Sequence, residues 1–274
     1  MEAELNKPTF IPMPNLNGQK GLIVGIANEQ SIAYGCARIL HQCRAELAIT
    51  YLNDKAEKYV RPLAESLDAS LILLMNVQNE AEVKAVFQTL EQTWGKLDFL
   101  IHSIAFAPLE DLRGRLLNCS LTGFGLAMDV SCHSFIRLAH HAEPLLSQGE
   151  GSLLAMSFYG AEKVVASYAL MGPVKAALEA TVRYLAYEMG EKGINVNAIS
   201  PGTIATRAAG GLGDFERLME KTAQNTPLHR LPTIEDVEQV AAFLVSPEAQ
   251  YITGDIFYVD GGFHIMGVCS CLSL

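Results

Sequence analysis

The run Gly21-Leu-Ile-Val-Gly25-Ile-Ala-Asn-Glu-Gln-Ser31-Ile-Ala-Tyr-Gly35 decides the fold. A short apolar stretch ends at a glycine, a polar turn follows, and a helical pattern opens at Ser31 and runs to Gln42. Such a stretch feeding a helix through a tight turn is the first half of a strand–helix–strand unit. A pyrophosphate needs backbone free of side-chain bulk and unpaired amides aimed at it from a helix start. Gly25 permits the sharp exit, Ser31 suits a helix cap facing phosphate, and Gly35 would let the helix pack close to the strand. Ala27 and Asn28 interrupt the Gly-x-Gly-x-x-Gly pattern. Taken alone, the loop therefore also fits an ordinary strand-to-helix turn with a serine cap.

The same alternation continues along the chain. Strands are expected at Gly21–Gly25, Glu46–Tyr51, Ser70–Met75, Leu97–His102, Gly151–Ser157, Ile194–Ile199 and Ile256–Val259. Helices are expected at Ser31–Gln42, Asp54–Leu67, Glu80–Trp94, Gly123–Leu146, Val174–Gly190 and Ile234–Leu244. Val174, Leu178, Val182, Leu185 and Met189 recur at helical steps, one stripe facing a sheet. The pattern predicts an α/β, Rossmann-like, doubly wound parallel sheet of about seven strands with helices on both faces. Residues 18–265 form that single domain, with an N-terminal arm at 1–17 and a C-terminal tail at 266–274. Ligands of such sheets lie beyond the carboxyl ends of the strands, where strand order reverses.

Composition narrows the function. The chain has 274 residues, 50% of them hydrophobic, and a formal charge of −10. No basic run stands out, so nucleic acid is not an expected partner. No apolar stretch approaches the ~20 residues that span a bilayer. Of the six cysteines, Cys269 and Cys271 lie near the end, and the other four, Cys36, Cys43, Cys119 and Cys132, lie inside otherwise apolar segments. Irregular spacing points to reduced thiols and a cytoplasmic setting, with no metal centre expected.

After the second strand comes Thr50-Tyr51-Leu52-Asn53-Asp54-Lys55. The acidic residue that would hold the ribose diol of NAD is absent at the strand end, and so is an arginine for the 2′-phosphate of NADP. Lys55 is a helix-opening lysine of a kind usually solvated, so NADH is favoured over NADPH. Asn76 and Val77 follow the third strand, where they would cradle adenine or form a plain surface turn.

Tyr168 and Lys175 have six residues between them. Seven steps along a helix advance ~700° with ~10 Å of rise, leaving room for a ribose between two side chains on one face. Pro173 favours a helix that starts near Gly172, which would put Tyr168 on the turn before it. Tyr159 and Lys163 offer a competing Tyr-to-Lys pair, but no amphipathic helix follows Lys163. The stretch Ala205–Asn225 carries Gly210, Gly211 and Gly213 and reads as a lid loop.

Three phrases together resemble the short-chain dehydrogenase/reductase superfamily: Lys175-Ala-Ala, Val196-Asn-Ala-Ile-Ser-Pro201-Gly202, and Ile252-Thr-Gly-Asp with Val259-Asp260-Gly261-Gly262. Within it the chain is similar to the bacterial NADH-type enoyl-acyl-carrier-protein reductases. The glycine loop, His102-Ser-Ile-Ala-Phe-Ala107-Pro, and Ser157…Gly160-Ala-Glu…Tyr168…Met171-Gly172…Lys175 carry that match, which extends from Gly18 to Phe263.

The resemblance implies a homotetramer that reduces the trans-2 double bond of an enoyl thioester, borne by acyl carrier protein, in fatty acid synthesis. It implies that Tyr168 bonds the substrate carbonyl. Lys175 would hold the nicotinamide ribose, and its charge would favour ionisation of Tyr168. Gly25, Ser31, Ile32, Leu52, Asn76, Val77, Ile104 and Ile204, Ala205, Thr206, Arg207, Ala208 would line the cofactor, and Ala107 would touch the acyl thioester. Three positions depart from the family pattern: Phe158 where a second tyrosine stands, Asn76 for aspartate and Ala105 for glycine. Tyr159 offers a hydroxyl that would swing into the place Phe158 leaves. Two other readings stay open, a reductase of 3-oxoacyl thioesters or similar carbonyls and a catalytically silent cofactor-binding scaffold.

Overall fold

A computed structural model describes residues 14–148, 150–165, 168–206 and 215–267. The strands are β1 (Lys20–Val24), β2 (Glu46–Tyr51), β3 (Leu71–Leu74), β4 (Phe99–His102), β5 (Ser152–Met156), β6 (Asn195–Pro201) and β7 (Ile256–Val259). They form one parallel sheet in the order β3-β2-β1-β4-β5-β6-β7. Every residue of β4 and β5 is buried, as expected of central strands covered on both faces.

Alternation along each strand divides the core. Leu22, Val24, Leu100, Leu153 and Ala155 pack on one face, and Ile23, Ile49, Ile101, Leu154 and Met156 on the other. The first layer is covered by α3 (Glu80–Trp94), α6 (Ser134–Leu146) and α7 (Met171–Gly190). The second is covered by α1 (Ile32–Gln42), α2 (Asp54–Glu65) and α9 (Ile234–Leu244). Among the described residues, no helix is long and apolar enough to cross a membrane.

Three parts differ from the sequence expectation. The stretch Gly123–Leu146 is not one helix: α5 (Leu121–Met128) and α6 are joined by a five-residue π-helical segment, Asp129–His133. Such a widened turn can aim side chains that a regular helix would not. Here Ser131 Oγ accepts from Phe106 N at 2.9 Å, and Ser134 Oγ donates to Val130 O at 2.6 Å. Within the expected lid loop, α8 runs from Phe215 to Asn225. Thr222 of α8 is buried, with its hydroxyl 3.5 Å from that of Thr203, so this half of the stretch docks on the domain. A short helix, α4 (Leu109–Arg113), also follows β4.

The arm's residues 1–13, the glycines at 210, 211 and 213, and Cys269 and Cys271 of the tail lie outside the described residues. Cys36, Cys43 and Cys132 are buried free thiols, and Cys119 is a half-buried one.

Candidate active site

The order of the sheet puts β1 between β2 and β4, so the chain leaves β1 on one side and returns on the other. Gly25 closes β1 at that point. Its φ is +116°, and a Cβ there would lie 2.1 Å from Ser103 O at the end of β4. Only glycine fits both the dihedral and the approach. The turn then delivers α1 with its N-terminus at the strand ends.

Ser31 stands at the N-cap of α1 but does not cap it with its side chain. Its hydroxyl turns back and accepts from the amides of Ala27 and Asn28, both at 3.0 Å. This corrects the expected cap: Ser31 closes the loop instead. The first turn of α1 carries no acidic residue. By contrast α2, α3, α5 and α9 are capped by Asn53, Asn79, Ser120 and Thr233. Gly35 also differs from expectation. A Cβ there would meet Ile234 Cγ2 at 2.2 Å, so the glycine admits α9 and not the strand. Arg38, one turn on, reaches Glu235 at 2.9 Å and Glu238 at 2.8 Å across the same contact.

The other expected cofactor residues divide. Ile32 is half-buried on the α1 side, and Leu52 is exposed beyond β2. Lys55 is exposed. Asn76 uses its side-chain oxygen on Gln78 N at 3.0 Å and its own amide on Glu82 Oε2 at 2.7 Å. Val77 is buried in the core, so it offers only backbone to a ligand, and its carbonyl already accepts from Arg137. Ile104 and Ile204 are half-buried against the core, Ala205 is exposed and Thr206 half-buried. Arg207 and Ala208 lie outside the described residues.

The opposite side of the switch is built from the end of β5 and the start of α7. Pro173 sits in the first turn of α7, where its missing N–H costs nothing. Tyr168 therefore precedes the helix, on a turn in which Met171 N donates to Tyr168 O at 2.9 Å and Ala169 has φ +32°. Of the two placements the sequence offered, the structure has the one Pro173 favours, a turn residue followed by a helix residue. Ala107 and Tyr168 pack on the same small cluster of Ala127, Leu170, Met171 and Val174. A Cβ at Gly160 would come within 2.5 Å of the Tyr168 ring, so that glycine makes its room.

Phe158 lies against Tyr168, with ring centroids 4.6 Å apart. Tyr159 does not swing toward that place: its ring packs edge-on against Phe263 at 5.2 Å. Tyr159 also starts a 3-10 turn and Lys163 is exposed, which separates the competing pair.

Lys175 is 4% exposed and donates from Nζ to Met156 O at 2.6 Å. Burial lowers its amine to about 8, with Cys132 and Glu179 pulling back upward. Burial pushes the Tyr168 phenol well above its usual range, and the Glu179 charge adds to it. Easing of its ionisation by Lys175 does not outweigh that burial.

Two residues were missed from sequence. Glu179, one turn beyond Lys175, is buried and accepts from Ser157 Oγ at 2.5 Å. Its signal was a carboxylate four residues after Lys175, beside an apolar stripe. His102, at the end of β4, is fully buried with Nε2 2.7 Å from Ser134 Oγ. Because Ser134 gives its proton to Val130 O, Nε2 carries the proton on His102. Burial, then the charge of Lys175, lowers the imidazole to about 3, so it stays neutral.

The chain matches, over residues 25–264, a family model described as enoyl-(acyl carrier protein) reductase. It is 46% identical to the enoyl-acyl-carrier-protein reductase (NADH) FabI of Aquifex aeolicus (strain VF5), over 92% of this chain and 94% of that protein. The crystal structure of the Aquifex aeolicus VF5 enzyme superposes with a TM-score of 0.90 at 45% identity, covering 92% of this chain and 99% of that one. The enzyme of Anaplasma phagocytophilum, solved in complex with NAD, gives 0.88 at 42% identity, covering 94% and 96%. With the switch-point glycine, the uncapped α1 and the Tyr168–Lys175 corner all inside the matched span, this chain belongs to the enoyl-(acyl carrier protein) reductase family.

Proposed function

We infer that this protein is an NADH-dependent enoyl-acyl-carrier-protein reductase of fatty acid synthesis, acting on the trans-2 double bond of an enoyl thioester. The observation that carries the reading is the shared packing of Ala107 and Tyr168 on one apolar cluster beside buried Lys175. An acyl chain finds apolar walls there, next to one proton-bearing hydroxyl.

A dinucleotide fits the residues present. The α1 amides have no side-chain cap and no acidic neighbour in the first turn, which suits a diphosphate. Gly25, Ser31 and Ile32 would hold the pyrophosphate side, Leu52, Asn76 and the Val77 backbone the adenosine side, and Ile104 with Ile204–Ala208 the nicotinamide side. When bound, the reduced nicotinamide supplies a hydride for the β-carbon of the substrate.

Tyr168 donates a hydrogen bond to the thioester carbonyl and stabilises the enolate that forms as charge moves to that oxygen. Its raised phenol pKa keeps the proton in place until then. Lys175 orients the ribose hydroxyls and supplies a nearby positive charge. Residues 205–225 serve as the lid over the acyl chain, and α8 is part of it. The carrier protein is the partner that presents the thioester.

The protein works as a homotetramer in the cytoplasm. A groove between α6 and α7, lined by Ile136, Thr181, Tyr184 and Leu185, with Tyr187 exposed on α7, supports copy-to-copy packing. The four free cysteines among the described residues support a reducing compartment.

The test is NADH oxidation with a trans-2-enoyl thioester, with a 3-oxoacyl thioester, and with neither. Oxidation with the first alone is expected. Oxidation with the second alone would reassign the reaction, and NADH binding without turnover of either would leave a silent scaffold.

A further inference from the structure

Three successive residues at the end of β5 each hold one group on the facing turn and helix. Met156 O accepts from Lys175 Nζ at 2.6 Å, Ser157 Oγ donates to Glu179 Oε1 at 2.5 Å, and the Phe158 ring tilts over Tyr168. Lys175 and Glu179 are four residues apart on α7, on the same side of the helix. Both are 4% exposed. A carboxylate so far from water is costly unless it is bonded and faces a cation. Ser157 gives the bond and Lys175 the opposite charge. The middle contact is assigned no part in the reaction described above.

We propose that Glu179, fixed by Ser157 one helical turn from Lys175, is a positioning residue whose charge keeps the Tyr168 and Lys175 pair in its proton-bearing forms. The inference rests on the reading of Tyr168 and Lys175 as the working pair. A buried negative charge in this corner, one helical turn from Lys175, disfavours the phenolate and favours the ammonium, so it acts on the two in the same sense. The effects on Tyr168 and Lys175 have that direction. Burial, and then the charge of Glu162 after β5, raise the Glu179 carboxyl above its usual range, while the bond from Ser157 and the charges of Arg183 on α7 and Lys175 draw it back down; Tyr258 on β7 also faces it. Arg183 is exposed, so its charge is screened, whereas Lys175 is not.

The experiment measures kcat from pH 6 to 10.5 with NADH and a short trans-2-enoyl thioester of coenzyme A, for wild type, Glu179→Gln and Ser157→Ala. Glu179→Gln keeps an acceptor for Ser157 and removes the charge. Its alkaline limb is expected about one pH unit lower than in wild type, a roughly tenfold loss of proton affinity. Ser157→Ala keeps the charge, so its alkaline limb is expected within about 0.3 pH units of wild type while kcat falls. NADH binding is expected to stay within about twofold in both variants. Should Glu179→Gln fail to fold, Glu179→Met carries the same test, since an apolar replacement of similar volume is tolerated where a buried charge was.

A charge-free variant whose profile superimposes on wild type after scaling would overturn the proposal, because a purely structural role would change amplitude alone. A wild-type protein that binds NADH but fails to oxidise it in the presence of the enoyl thioester would remove the parent reading as well. Turnover by wild type with an unshifted variant removes only this one.

Discussion

The two sides of the switch point are built on opposite plans. On the cofactor side, α1 begins without a side-chain cap, and Ser31 spends its hydroxyl on the loop. On the substrate side the charged groups are paired within the protein: Lys175 with Met156 O, Glu179 with Ser157. A bound ligand must supply what the first side lacks, and the second side must already have its geometry before substrate arrives. The contrast teaches that binding is left to backbone dipoles, whereas proton chemistry is fixed by buried side chains.

The strongest way to break the first side is Gly25→Ala. The new methyl would sit 2.1 Å from Ser103 O at a φ of +116°, so β1 and β4 must part where the loop is formed. NADH affinity is expected to fall at least 100-fold, about 3 kcal/mol, by calorimetric titration. Affinity within fivefold of wild type would show that the switch can widen cheaply.

The second side is sharpened by Lys175→Met. Burial takes this amine from 10.5 to about 8. Below about 8 both folded and unfolded chains carry the proton, and the full burial penalty is present. Between about 8 and 10.5 the folded chain sheds it first and the penalty fades. That penalty is on the order of 3 kcal/mol, offset by about 1 for the lost bond to Met156 O. Removing the cation that Glu179 faces costs about 1 kcal/mol more, so Lys175→Met is expected to gain about 1 kcal/mol in urea unfolding at pH 7 and less at pH 10. An equal gain at both pH values would contradict the assigned burial cost.

Ser31→Ala returns to the cofactor side with a smaller change. Two loop amides lose their acceptor, which costs about 1 kcal/mol, so NADH is expected to bind about fivefold more weakly. Unchanged affinity would show that the loop keeps its shape without the hydroxyl. Phe158→Tyr is the smallest test. It adds a hydroxyl next to Tyr168 and is expected to alter turnover or acyl preference by up to about threefold, under ~0.7 kcal/mol. If neither changes, the second-tyrosine position has no catalytic weight in this protein.

Much of the frame was legible in the sequence. The bounds of β2, β7, α3 and α9 match the expected ones, because each sits between clear turn or capping residues. Gly25 was legible since a strand exit into a helix needs its freedom. Val77 was not: its identity fits a ligand wall as well as a core, and only packing separates them. The π-helical segment was hidden because one widened turn barely disturbs a pattern of apolar residues. Glu179 and His102 were hidden because a buried polar residue looks like an exposed one until its partner is known. Those partners are 22 and 32 positions away.

The most direct measurement is the single-turnover rate of Tyr168→Phe with saturating NADH and a trans-2-enoyl thioester, beside its affinity for NADH. The hydroxyl is the only atom removed, and the ring keeps its packing on Phe158 and the Ala127–Leu170 cluster. A rate at least tenfold lower, ~1.4 kcal/mol of barrier, with NADH affinity within about twofold, is the expected result. A rate close to wild type would contradict the assignment of the proton to this phenol.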